Sequence, residues 1–103
     1  MHSIFWFFRL REGVNREEYE EWVRKVDYPA TRELLKSVHQ YRLNRIEKNF
    51  EGKIPYDYVE HMLVSSYDEY MKEQFSPEVA SILKEWTKYV SEVSAVYAET
   101  IEE

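Results

Sequence analysis

The sequence predicts a single α+β domain of β-α-β-β-α-β order built on a four-stranded antiparallel sheet. Three observations carry that expectation. The opening segment is apolar on both of its alternating faces, two helical segments each begin with capping residues, and two strand-like segments flank a Gly- and Pro-bearing loop. With 103 residues the chain has the length of one domain, so residues 1–103 are read as one unit without a linker.

The first strand is placed at residues 3–10, where Ile4-Phe5-Trp6-Phe7-Phe8 makes both faces apolar because successive side chains point to opposite sides. After the turn around Gly13, Asn15 and Glu18 have the spacing of a helix N-cap and its partner three residues on. Tyr19, Trp22, Val23 and Val26 then recur with helical period. Pro29 has no N–H to donate, so this helix should kink near Asp27-Tyr28 before running on through Leu34-Leu35. The second and third strands are placed at 38–48 and 56–65, joined by loop 49–55. Ser66 with Glu69, then Ser76 with Pro77, open two further helical pieces. Val79, Ile82, Leu83, Trp86 and Val90 give the second of these its apolar face, and residues 93–101 form the last strand.

This order is that of the split βαβ, ferredoxin-like motif with strand order 4-1-3-2, whose helices cover one sheet face. The other face of the first strand is then left bare, and burying it against a second copy yields about 25 cal/mol per Å² of apolar surface. A homodimer is therefore expected.

Composition narrows the function. A net charge of −6 disfavours nucleic acid and anionic membrane surfaces as partners. No apolar run approaches the roughly 20 residues a membrane span needs, and the start has no signal-peptide pattern. A soluble, unprocessed, cytoplasmic protein is expected. The absence of cysteine excludes thiolate chemistry and disulfides. His2, His39 and His61 have no metal-ligand spacing, and neither a G-x-S-x-G elbow nor a Gly-rich phosphate loop is present. Neither a metal nor a cofactor is expected.

Four segments carry a family resemblance over nearly the whole chain: Phe8-Arg9-Leu10-Arg11-Glu12-Gly13-Val14, Val26-Asp27-Tyr28-Pro29, Tyr41-Arg42-Leu43-Asn44-Arg45-Ile46 and Pro55-Tyr56-Asp57-Tyr58-Val59-Glu60. With them the chain resembles the dimeric α/β-barrel superfamily and, more narrowly, the RedY-like, HapK-type proteins associated with prodigiosin-type pigment pathways. The resemblance implies two sheets packed across a dimer and a ligand cavity between each sheet and its helices. It spans cofactor-free monooxygenases, isomerases, haem-degrading enzymes and members without assigned chemistry, so it does not select a reaction. All three histidines fall on strands or strand margins, against the helix-borne ligand that haem breakdown would want.

Glu60, in mid-strand beside Tyr58 and Met62 on one face, is the first candidate for chemistry. Desolvation would raise its pKa and suit it to proton transfer; the alternative is an ion pair with Arg42 or Arg45. Asp27, at the margin of the buried helix face, is either a second cavity carboxylate or a cap for the segment restarted at Pro29. Asn44 is a poor strand former and is assigned to the cavity with Glu60 on the resemblance, His61 and Arg45 being the pair if the strand phase is reversed. Tyr58, Trp6, Trp22, Trp86 and Tyr97 are read as core aromatics that also wall a cavity for a flat aromatic metabolite. Two functions follow: a cofactor-independent enzyme acting on a pyrrole-, indole- or polyketide-like molecule by general acid/base chemistry, or a non-catalytic dimer that binds a hydrophobic metabolite. Filling the cavity at Ala95 or Ala98 is expected to separate them.

Overall fold

The computed structural model describes residues 1–53 and 55–102; Ile54, expected in the hairpin loop, lies outside the described residues. Strand β1 (His2–Leu10) is central, and the sheet order is β2-β3-β1-β4, with β2 at Val38–Arg45, β3 at Tyr58–Val64 and β4 at Val90–Glu99. All neighbouring strands are antiparallel. The four-stranded, ferredoxin-like arrangement expected from the sequence is present.

The two-sided character expected of β1 is present. Ile4, Trp6, Phe8 and Leu10 pack into the layer between sheet and helices. Phe5 and Phe7 alternate to the opposite face, where register places them beside His61, Val59, Val96 and Ser94. Phe8, fully buried against Tyr19, Tyr58 and Trp86, contributes about 1.5–3 kcal/mol by burial alone.

Helix α1 (Arg16–Trp22) begins as expected, with the Asn15 side chain accepting from the Glu18 N–H at 3.1 Å. The kink expected at Pro29 takes a specific form. Residues Val23–Asp27 make a π-helical turn, in which the Tyr28 N–H bonds the Val23 carbonyl five residues back, and α2 (Tyr28–Leu34) continues from there. One extra residue in the turn accommodates a proline that would otherwise clash with the preceding turn. The caps at Ser66 and Ser76 open α3 (Tyr67–Gln74) and α4 (Pro77–Trp86).

Several strand boundaries differ from expectation, three of them for a visible reason. β2 stops at Arg45 because the Ile46 N–H turns to the Asp57 carbonyl, and β3 starts only at Tyr58, Asp57 being engaged with Phe8 and Leu10. β4 begins at Val90, not 93: Val90 stands one helical turn past Trp86 and so fits either period, but it is 2% exposed and pairs with Leu10. The β1–β4 register breaks between Phe7 and Arg9, where Glu92 takes φ of +50° and its carboxylate pairs with Arg9 at 2.7 Å. No described helix is long and apolar enough to cross a membrane.

Candidate active site

β3 alternates strictly, so Tyr58, Glu60, Met62 and Val64 all turn toward the helices and are buried. Glu60 is thereby set in the core, 6% exposed. Neither expected arginine meets it: Arg45 bonds Glu20 at 2.6 and 2.8 Å, and Arg42 pairs in register with His61 on the other face. Among the described residues Glu60 has no ion pair.

Its surroundings are a narrow cavity of about 50 Å³ between sheet and helices, lined chiefly by Leu34, Leu35, Met62, Ile82, Leu83 and Trp86, with Asp27 facing Glu60. That is more than one water requires and well below the ~150 Å³ void that admits benzene. Asp27 belongs to the π-helical turn. Its backbone is helical and its side chain makes no cap bond, which sets aside the capping alternative. Instead its carboxylate accepts the hydroxyl of Tyr41. The same hydroxyl also acts electrostatically on Glu60, so one tyrosine from β2 couples to a carboxyl of the helix layer and a carboxyl of the sheet.

Burial raises both acids, since charge is poorly solvated there. Asp27 is pushed up to about 6, against the lowering effect of the Tyr41 hydroxyl. Glu60 is pushed up to about 8 by burial and then by the nearby Asp27 charge, again opposed by Tyr41. Burial raises the Tyr41 hydroxyl far above its ordinary range, so it acts as a neutral donor.

The expected aromatic walls divide. Trp6 and Trp86 line the cavity, edge to face with ring centroids 6.0 Å apart. Trp86 donates its indole N–H to the Tyr19 hydroxyl at 3.0 Å, whereas the Trp6 Nε1 is buried without a well-formed hydrogen bond, near the Tyr70 hydroxyl. Trp22 and Tyr58 are packed in the neighbouring core around Phe8 and Tyr19, outside the cavity lining. The Tyr58 hydroxyl donates to Glu20 at 2.6 Å, in a cluster where the Arg45 hydrogen bond holds the Glu20 carboxyl down at about 2. Tyr97 lies on β4, 45% exposed against Tyr67, away from the cavity.

Asn44 is corrected outright. Register pairs Leu43 with Glu60 and Asn44 with Val59, so Asn44 sits on the sheet face away from the helices, exposed, its amide toward the Val59 carbonyl at 3.4 Å. Glu60 and Arg45 share the helix side, as His61 and Asn44 share the other, so the observed pairing mixes the two assignments the sequence allowed. Ala95 and Ala98 are also outside the cavity lining; the small residue that lines it is Ala30. Tyr41, Tyr70, Thr31 and Gln74 were not singled out by sequence. Helical period from Asp27 points to Thr31, and Tyr41 stands two residues before Leu43 in strand alternation, but neither pattern marks a site.

Fold and cavity together define a ferredoxin-like α+β protein with a buried two-carboxyl pocket between its layers. The chain belongs to the family described as REDY-like protein HapK, whose model matches residues 2–101. Among solved structures it is similar to HapK from Hahella chejuensis, with TM-score 0.84 and 21% identity over 100% of this chain and 95% of that one. It is also similar to the hydroxynitrile lyase from Passiflora edulis, with TM-score 0.80 and 10% identity over 99% and 94%. A third is a dimeric protein of unknown function and ferredoxin-like fold from Bacteroides fragilis, with TM-score 0.70 and 14% identity over 96% and 95%. No curated protein matches the chain.

Proposed function

We propose that this protein is a cofactor-independent enzyme that moves a proton on a small aromatic metabolite, of pyrrole, indole or polyketide type, in the cavity between sheet and helices. The observation that carries this reading is the Asp27–Tyr41–Glu60 arrangement: two buried acids, a neutral hydroxyl bonded to the first and acting on the second, and no basic residue among the described residues that line the cavity. Burial raises both acids and the two titrate together, so near neutral pH the pair holds one proton between them. The Tyr41 hydroxyl donates to Asp27, which favours it as the ionised base and leaves the deeply buried Glu60 as the protonated acid. Trp6 and Trp86 supply aromatic wall, and a ring larger than the narrow cavity would require the adaptable Met62 side chain to give way. Family membership supports a tailoring role in pigment-type secondary metabolism.

The enzyme acts as a homodimer in this reading. Phe5, Phe7, Val59, Leu63 and Val96 form an apolar sheet face away from the helices, and similar folds are described as dimeric. Such a patch normally marks an interface.

A second reading, a non-catalytic carrier of a hydrophobic metabolite, draws on the mainly aliphatic cavity lining. Turnover of a pyrrole- or indole-type panel by wild type and Glu60→Gln separates the two. Loss of turnover in the variant supports the enzyme; binding without turnover in either protein supports the carrier.

A further inference from the structure

The cavity also carries information about the charge of what enters it, and this inference rests on the site proposed above. Among the described residues its lining includes Asp27 and Glu60 but no Lys, Arg or His. The other titratable groups that feel the carboxyl charges are Tyr19 from α1, Tyr41 from β2 and Tyr70 from α3, phenols that burial holds neutral. An anion entering here would meet like charge in a poorly screened interior, with no donor cation to offset it. A cation would meet two carboxyls to neutralise and three aromatic rings, Trp6, Trp86 and Tyr70, whose π-electrons attract positive charge. The cavity of about 50 Å³ restricts what enters without rearrangement to a few heavy atoms.

We propose that the cavity takes a small organic cation, a protonated amine, amidine or guanidinium-type group, seated between the Asp27 and Glu60 carboxyls and the rings of Trp6, Trp86 and Tyr70. The metabolite acted on is then a nitrogen base that presents its cationic end to the carboxyl pair. A planar amidinium or guanidinium suits this position best, since its N–H groups can address both acids at once.

The test uses three probes of similar size, methylguanidinium, methylurea and acetate, titrated at about pH 8 while the indole N–H signals of Trp6 and Trp86 are followed by NMR; at that pH the pair carries at least one carboxylate for a cation to meet. The expected result is saturable binding of methylguanidinium, about tenfold or more tighter than methylurea, with no binding of acetate. Affinity should fall as pH is lowered through the carboxyl range. Asp27→Asn, which keeps shape and volume, should remove the preference for the cation, and Glu60→Gln should weaken it. Equal binding of methylguanidinium and methylurea, or any tighter binding of acetate, would overturn the proposal. The outcome is separable from that of the acid/base reading. Cation preference with turnover unaffected by Glu60→Gln supports this inference and removes the other, and turnover lost in Glu60→Gln without cation preference does the reverse.

Discussion

Asp27 and Glu60 face each other across the interface between the helix layer and the sheet, and the charge of the first adds to burial in keeping a proton on the second. Neither residue alone would do this. A lone buried acid is raised by desolvation only, whereas two acids with one hydroxyl between them titrate as a set.

The first consequence is a stability that declines with pH. Glu60 has a folded-state pKa of about 8 against an ordinary 4.5, so the folded state binds more protons than the unfolded chain between those values. Its stabilising contribution is complete below about 4.5 and is lost as pH rises through about 8. Asp27 acts in the same sense over the lower window from 3.8 to about 6. Urea unfolding of wild type should show stability falling by a few kcal/mol, in order of magnitude, from pH 5 to pH 9. In Glu60→Gln most of the upper part of that slope should vanish.

The Tyr41 hydroxyl favours the ionised form of both acids, so Tyr41→Phe should raise both carboxyl midpoints further. It should also cost about 1–3 kcal/mol at neutral pH, the typical effect of removing a buried partner. Carbon-13 titration and urea unfolding of the variant report the two effects separately. Unchanged midpoints would remove Tyr41 from the site.

Filling the cavity should be done at Ala30 on α2. Ala30→Leu is expected to abolish ligand binding at an overpacking cost of about 1–3 kcal/mol, while Ala95→Trp and Ala98→Trp on β4 leave binding intact. Calorimetric binding of any ligand found by the turnover screen checks this.

Leu63→Lys places a charge in the middle of the apolar sheet face, opposite Ser3 and Gln40 in register. Light scattering should then show a monomer where wild type is a dimer, with the carboxyl midpoints of Asp27 and Glu60 little changed because they lie on the other side of the sheet. A wild-type monomer would remove the dimer from the account.

Much of this architecture is written in local signals. The caps at Asn15, Ser66 and Ser76 are short-range chemistry, and each is realised as a side-chain bond to the third residue on. Pro29 announces a disturbance because its missing N–H is a covalent fact, though not that a π-helical turn absorbs it and turns Asp27 inward. Glu60 is conspicuous because a charge in an apolar strand needs a partner. What alternation cannot supply is the register between strands: shifting β2 by one residue exchanges Leu43 for Asn44 opposite Glu60, and the loop between β2 and β3 is too long to fix that choice. The register also breaks between Val38 and Gln40, just before Tyr41. The role of Tyr41, the misplacement of Asn44 and the suitability of Ala30 all follow from that nonlocal geometry.

The most direct test of the central claim is a carbon-13 titration of the Glu60 side-chain carboxyl in the folded wild-type protein. A midpoint near 8, moving downward when Asp27 is replaced by Asn, is the predicted result. A midpoint at the ordinary carboxyl value, indifferent to Asp27, would show that Glu60 is ionised throughout the neutral range and would contradict its role as the acid of the pair.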